Sequence, residues 1–100
     1  MPRFFIVNNH YHDFTPLTKD GSEIINLTEG KVNPYHTERA KAEMISKLKA
    51  HKATDQDVLV VCGSGVLNLI AGLAMKEIVG SVNVALWNHN DASYKMRFNL

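Results

Sequence analysis

The sequence predicts an α/β domain built on a small mixed β-sheet, and three observations predict it. Segment 58–62, VLVVC, is apolar at every position, as expected of a parallel strand that is covered on both faces. Segments 34–51 and 65–79 carry apolar residues at helical spacing. Short connections join 58–62, the second helix and a strand at 82–87 into a crossover whose strands are parallel. We assign 1–100 to a single domain, since one hundred residues form one.

Three further strands complete a sheet of about five. Segments 3–7 and 23–27 are rich in β-branched and aromatic residues, and 94–98 alternates like an edge strand after a hairpin turn. The predicted order is β-β-α-β-α-β-β, with two helices packed on the sheet. Asn33 and Pro34 predict the start of the first helix, because Asn caps free amides and Pro suits the first helical position. The relative direction of the first and third strands stays open.

Net charge, cysteine content and apolar stretches limit the partners and the compartment that we expect for this protein. The formal net charge is +1, so no strong field favours nucleic acid as a partner. Cys62 is the single cysteine, which fits a reducing compartment. The longest apolar stretch, 66–79, is interrupted by polar residues and is shorter than the roughly 20 residues that span a bilayer. We expect a cytoplasmic protein without a membrane partner.

The Gly-Ser-Gly loop at the end of the central strand is the main candidate site. It leads into a helix, whose first amides lack partners and whose dipole attracts anions. Gly63 and Gly65 permit close approach of a ligand, Ser64 adds a hydroxyl, and Asn68 adds an amide one turn later. A dinucleotide fingerprint would need a third glycine at position 68, and no Walker-type Lys-Ser/Thr pair is present. The loop either binds a phosphate or only turns the chain.

Histidines supply further candidates. His10 and His12 are two residues apart and share a face in an extended segment, with Asp13 next to them. They could contact a ligand or exchange a proton, but no third histidine stands at ligand spacing, and no metal or cofactor is predicted. His36 and Arg39 at the predicted helix start could meet a phosphate, or they could simply be solvated.

Evidence for covalent catalysis is weak. The Gly-x-Ser-x-Gly pattern of a nucleophile elbow is absent around Ser64, and Cys62 ends an apolar strand as a small core residue would. The sequence does not establish an enzyme and favours a binding protein.

The second helix predicts self-association. It is apolar nearly all round, so burying it fully takes more surface than a two-helix domain offers. Val66, Leu69 and Leu73 are the residues we expect at a homo-oligomer interface, most simply that of a two-fold dimer.

The stretches HDF, INLTEG, NPYHTER, DVLVVCGSGVLNLIA and GSVNVALWN resemble small uncharacterised proteins of tailed bacteriophages. Phage proteins of this size include inhibitors that sequester nucleotide signals of bacterial defence. The resemblance implies a ligand-binding oligomer in the host cytoplasm and assigns no residue a role.

Three hypotheses follow. The leading one is a homo-oligomer that binds a phosphate-bearing, nucleotide-like molecule through the loop, helped by His10, His12, His36 and Arg39. The second is a small enzyme that cleaves such a molecule with a histidine as acid or base. The third is a structural or protein-binding phage factor. Recovery of an unchanged ligand separates the first from the second, and the third predicts no ligand.

Overall fold

The computed structural model describes residues 3–8, 14–30 and 32–100. Its five strands form one sheet in the order β2-β1-β3-β4-β5, in which β1 to β4 are parallel and β5 is antiparallel to β4. Three helices pack on this sheet, which confirms the α/β class. The elements in chain order are β1 (Phe4–Ile6), α1 (Thr15–Thr18), β2 (Ile24–Asn26), α2 (Thr37–Ala50), β3 (Val58–Val61), α3 (Gly65–Val79), β4 (Val84–Asn88) and β5 (Ser93–Arg97).

The sheet carries a core on each face. Side chains of β1 alternate between the faces, as a pleated strand requires. Phe5 packs into the core formed with α2 and α3, whereas Phe4 and Ile6 pack into the other core, which α1 covers through Leu17. Among the described residues, no helix is long and apolar enough to cross a membrane.

Helix α1 is an addition to the two predicted helices. It has four residues, with Pro16 in its first turn, and it covers the second face together with Phe14. Four residues are too few to display a helical repeat, and a proline at this position is equally compatible with a turn. The sequence pattern therefore could not reveal it.

Helix α2 begins at Thr37, three residues later than predicted. Asn33 does not cap it. Its Oδ1 atom accepts the Tyr35 N–H at 2.9 Å, and its carbonyl accepts the His36 N–H at 3.0 Å. Asn33 and Pro34 thus form a turn before the helix, because an Asn side chain can mimic a backbone turn as readily as it caps a helix.

Helix α3 has the predicted bounds. Ser64 is its N-cap and accepts the Leu67 N–H on Oγ at 3.4 Å. At the other end Gly80 adopts a left-handed φ of 94° and ends the helix.

Arg3 and Asp57 form an ion pair at the amino edge of the sheet. The guanidinium contacts both carboxylate oxygens, Nη2 to Oδ2 at 2.8 Å and Nε to Oδ1 at 3.2 Å. Arg3 Nη1 also donates to the His51 carbonyl at 2.7 Å, and Asp57 accepts the Thr54 N–H at 2.8 Å. The bond to Asp57 raises the pKa of Arg3 above its usual value. The pair ties β1 and β3 to the end of α2.

Candidate functional site

The carboxyl ends of β1 and β3 meet at one edge of the sheet. The two strands are parallel neighbours, with Phe4 opposite Val58 and Phe5 opposite Leu59, which answers the question of direction that the sequence left open. The chain leaves β1 toward β2 on one side and leaves β3 toward β4 on the other. Such a switch of direction opens a crevice at the carboxyl edge, where sheets of this type bind ligands.

Hydrogen bonds from two side chains join the segments that follow β1 and β2 at this edge. Thr28, just after β2, donates its hydroxyl to the Val7 carbonyl at 2.6 Å, and Asn8 donates Nδ2 to the Gly30 carbonyl at 2.6 Å. Neither residue is predicted from the sequence as part of this edge. The only signal is that each polar side chain directly follows a buried strand.

The Gly-Ser-Gly loop lies at this edge, after β3. Gly63 has a φ of +79°, a conformation that glycine adopts without strain. Gly63, Ser64 and Gly65 are all exposed. A Cβ atom on Gly63 or Gly65 would meet no atom within 4 Å, so the space outside the loop is open.

The start of α3 offers free hydrogen-bond donors. The Leu67 N–H donates to Ser64 Oγ, and the Asn68 N–H donates to the Ser64 carbonyl at 3.0 Å. Within the described ranges, the amides of Ser64, Gly65 and Val66 have no acceptor. Unpaired amides at the positive end of a helix dipole suit an anion.

Asn68 contacts the loop from the inside. Its Nδ2 atom donates to the Cys62 carbonyl at 2.6 Å and to the Ser64 carbonyl at 2.8 Å. The residue is only 7% exposed, and its Oδ1 atom is buried without a hydrogen-bond partner among the described residues. The Asn68 side chain therefore lies beneath the loop and donates to it, whereas the sequence predicts an amide that faces a ligand.

His36 and Arg39 are exposed at the start of α2 and border a separate small depression. Its two acidic side chains are engaged. Glu43 accepts the Glu29 N–H at 2.9 Å, and the bond from Lys47 lowers the pKa of Glu29. In the part of the chain that the structure describes, Arg39 has no acidic partner. The depression is lined by Glu29, Val32, Asn33, His36, Arg39, Ala40 and Glu43, and so includes no residue of the Gly-Ser-Gly loop.

Trp87 and His89 stand at the end of β4. The indole Nε1–H donates to His89 Nδ1 at 3.2 Å, and the Trp87 ring meets the Tyr94 ring edge-on at 5.0 Å between centroids. The tryptophan is 38% exposed and thus presents part of its ring to solvent.

Cys62 closes β3 beneath the loop. Burial raises the pKa of its thiol above the usual value, so the thiol stays protonated at neutral pH. A protonated thiol is a poor nucleophile, which agrees with the core role predicted from the sequence.

The remaining predicted residues, His10 and His12, lie outside the described residues. Residues 3–8, 14–30 and 32–100 contain no group of three or more His, Cys, Asp or Glu residues that could hold a metal ion. No protein-family model, no curated protein and no solved structure matches the chain.

Proposed function

We propose that the protein binds a small phosphate-bearing, nucleotide-like molecule at the Gly-Ser-Gly loop. One observation carries the proposal: the amides of Ser64, Gly65 and Val66 have no acceptor within the described ranges, and they stand at an exposed helix start at the carboxyl edge of the sheet, where β1 and β3 are parallel neighbours. A phosphate group supplies several acceptor oxygens and negative charge, and both match a helix N-terminus. Water can satisfy such amides when no ligand is bound.

The rest of the ligand would extend along the carboxyl edge. His36 and Arg39 border a different depression, so in this proposal they contact a second charged group of an extended ligand. Tyr35, which is 90% exposed, offers a ring for stacking near them. His10 and His12 stay in the proposal as predicted contacts.

Binding without cleavage is the mode of action that we propose. Ser64 Oγ is engaged as the acceptor that caps α3, and the thiol of Cys62 is held in its protonated form. Neither group is therefore activated as a nucleophile. For a phage protein, the consequence in the cell would be the sequestration of a host nucleotide signal.

A thermal-shift screen tests the proposal. The panel contains AMP, ADP, ADP-ribose and cyclic mono- and dinucleotides. A ligand at about 100 times its Kd adds roughly 2.7 kcal/mol of stability, which raises Tm by roughly 10 °C or more for a domain of this size. We expect at least one such shift, and mass spectrometry should recover that ligand unchanged. A screen in which no compound raises Tm would contradict ligand binding. Recovery of a cleaved ligand would show that the protein hydrolyses the molecule that it binds.

The proposal includes a two-fold dimer through α3. Val66, Leu69 and Leu73 are 50%, 65% and 54% exposed and form one stripe at i, i+3 and i+7 on the helix. Burying each such side chain contributes roughly 1.5–3 kcal/mol. In an antiparallel pairing, Leu69 of one copy lies opposite Leu73 of the other, with Gly72 near the axis.

The size of the stripe sets the strength of that dimer. Three half-exposed aliphatic side chains provide a few hundred Å² of apolar surface, whereas a stable interface buries about 800 Å² on each partner. The second copy must therefore add polar contacts around the stripe, and we expect a dimer that dissociates at micromolar concentration.

Leu69→Lys should abolish the dimer, because each copy would then bury a lysine charge against Leu73 of the other copy. Sedimentation velocity between about 1 and 500 µM measures the change. Phe98→Lys is the matched control, since Phe98 is 59% exposed but belongs to no part of the stripe. We expect the control to dimerise like the wild type. A wild type that stays monomeric throughout this range would contradict the dimer.

A further inference from the structure

The structure assigns Asn68 a positioning role: its carboxamide holds the Gly-Ser-Gly loop in the shape that turns amides outward. The inference rests on the proposed function and names the residue that prepares the site. Two hydrogen bonds carry it, from Nδ2 to the carbonyls of Cys62 and Ser64 at 2.6 and 2.8 Å.

Peptide geometry connects these bonds to the site. In a trans peptide the C=O and N–H groups point in opposite directions. The Cys62 carbonyl shares its peptide unit with the N–H of Gly63, and the Ser64 carbonyl shares its unit with the N–H of Gly65. Asn68 holds the Cys62 carbonyl through its carboxamide alone, and it holds the Ser64 carbonyl through both its carboxamide and its backbone N–H. Both glycine amides therefore point away from Asn68. Both glycines are exposed, and a Cβ atom on either would meet no atom within 4 Å, so the loop leaves room for a ligand.

The orientation of the Asn68 carboxamide is fixed by the same contacts. Carbonyl oxygens only accept hydrogen bonds, so the nitrogen must face them. This leaves Oδ1 buried without a partner among the described residues, an arrangement that ordinarily costs stability. If position 68 served only the stability of the fold, a side chain without a buried, unpaired oxygen would be better. The amide group of Asn68, in contrast, can donate two hydrogen bonds to the loop. The stranded oxygen is thus a second sign that position 68 serves the loop.

Asn83 provides a matched control at the opposite edge of the sheet. It is 4% exposed, and its Nδ2 atom also donates to two backbone carbonyls, those of Asp55 at 2.8 Å and Asp57 at 3.1 Å. Asn83→Ala therefore removes a comparable pair of buried hydrogen bonds far from the Gly-Ser-Gly loop, together with the acceptor of the Asn99 N–H at 3.0 Å. Any effect of stability alone on binding should appear in both variants.

The experiment is an NMR titration with inorganic phosphate at a temperature where each variant is folded. We expect Asn68→Ala to raise the phosphate Kd about tenfold, the size of effect seen at metal sites when a residue that orients a metal-binding side chain is lost, and Asn83→Ala to leave the Kd unchanged. Asn68→Ser should fall between, because a serine hydroxyl can donate to the carbonyl four residues back, that of Ser64, but not to that of Cys62. In the ligand-free protein, Asn68→Ala should also shift the amide resonances of Gly63 and Gly65.

The possible failures are distinguishable. An Asn68→Ala variant that binds phosphate as the wild type does would overturn the positioning role and leave the proposed function intact. Equal losses in the Asn68 and Asn83 variants would also overturn it, since the effect would then be general destabilisation. If phosphate caused no change in the spectrum of the wild type, both the proposed function and the role of Asn68 in it would be overturned. This would hold even if Asn68→Ala shifted the Gly63 and Gly65 resonances of the ligand-free protein.

Discussion

Arg3→Leu should lower the free energy of unfolding by about 3 kcal/mol, because it leaves the buried carboxylate of Asp57 without its cationic partner. The Asp57 side chain is only 4% exposed, and its remaining partner is the Thr54 N–H. The substitution also removes the donor to the His51 carbonyl at the end of α2. The Arg3 side chain is 28% exposed, so water can enter its place, which puts the loss at the lower end for a broken buried pair. Equilibrium urea unfolding measures it.

The ion pair between Lys41 and Glu77 is the control for this prediction. Its N–O distance is 3.5 Å, and its side chains are 42% and 55% exposed. Lys41→Met should change stability by less than about 1 kcal/mol, because solvent screens exposed pairs. If Arg3→Leu had an effect as small as that, the carboxylate of Asp57 would be solvated in the folded protein, and the account of the amino edge would be wrong.

Gly65→Glu should stabilise the protein and at the same time weaken anion binding. Gly65 is the first residue of α3, and a side chain there meets no atom within 4 Å. Replacing a helical glycine and adding a carboxylate at a helix start together stabilise by about 1 kcal/mol. The same carboxylate repels a phosphate at about 5 Å by roughly 3 kcal/mol at an effective dielectric constant of about 20, so affinity falls roughly 100-fold.

The neutral variant Gly65→Gln separates charge from size. It should gain the stability of a residue better suited to helices than glycine and should lose less affinity for phosphate than the Glu variant, because it adds bulk but no charge. Thermal unfolding and a phosphate titration at low salt measure the two effects on all three proteins. Equal binding by the Glu and Gln variants would show that no anion sits at the start of α3. Opposite signs of stability and affinity in the Glu variant are a result that general destabilisation cannot produce.

Most of the fold could be predicted because its signals are local. The all-apolar segment 58–62 and the glycine at position 80 mark a buried strand and a helix end without any tertiary information. Helix α1 and the start of α2 could not be predicted in this way. A four-residue helix has no period, and Asn33 can form a turn or a cap with the same side chain. Only the surrounding structure decides between the two.

The candidate site was only partly predictable. Its central feature, a strand that ends in Gly-Ser-Gly before a helix, is continuous in the sequence and could be found there. The role of Asn68 could not be predicted, because it depends on the orientation of its carboxamide. That orientation is fixed by two backbone carbonyls that only the folded structure brings next to the side chain. The parallel pairing of β1 with β3, which brings their carboxyl ends to one edge of the sheet, is likewise a long-range feature. His36 and Arg39 were predicted as contacts, but the depression that they border does not include the loop.

The most direct test of the central claim is a two-dimensional ¹⁵N–¹H spectrum of the protein during titration with AMP. If the loop binds the phosphate, the amide resonances of Ser64, Gly65 and Val66 should move downfield together and saturate, since each N–H gains a charged acceptor. Resonances at the amino edge, such as that of Asp57, should stay in place. Amides at the start of α3 that remain unmoved while AMP binds elsewhere, or a spectrum unchanged up to about 20 mM AMP, would contradict the account.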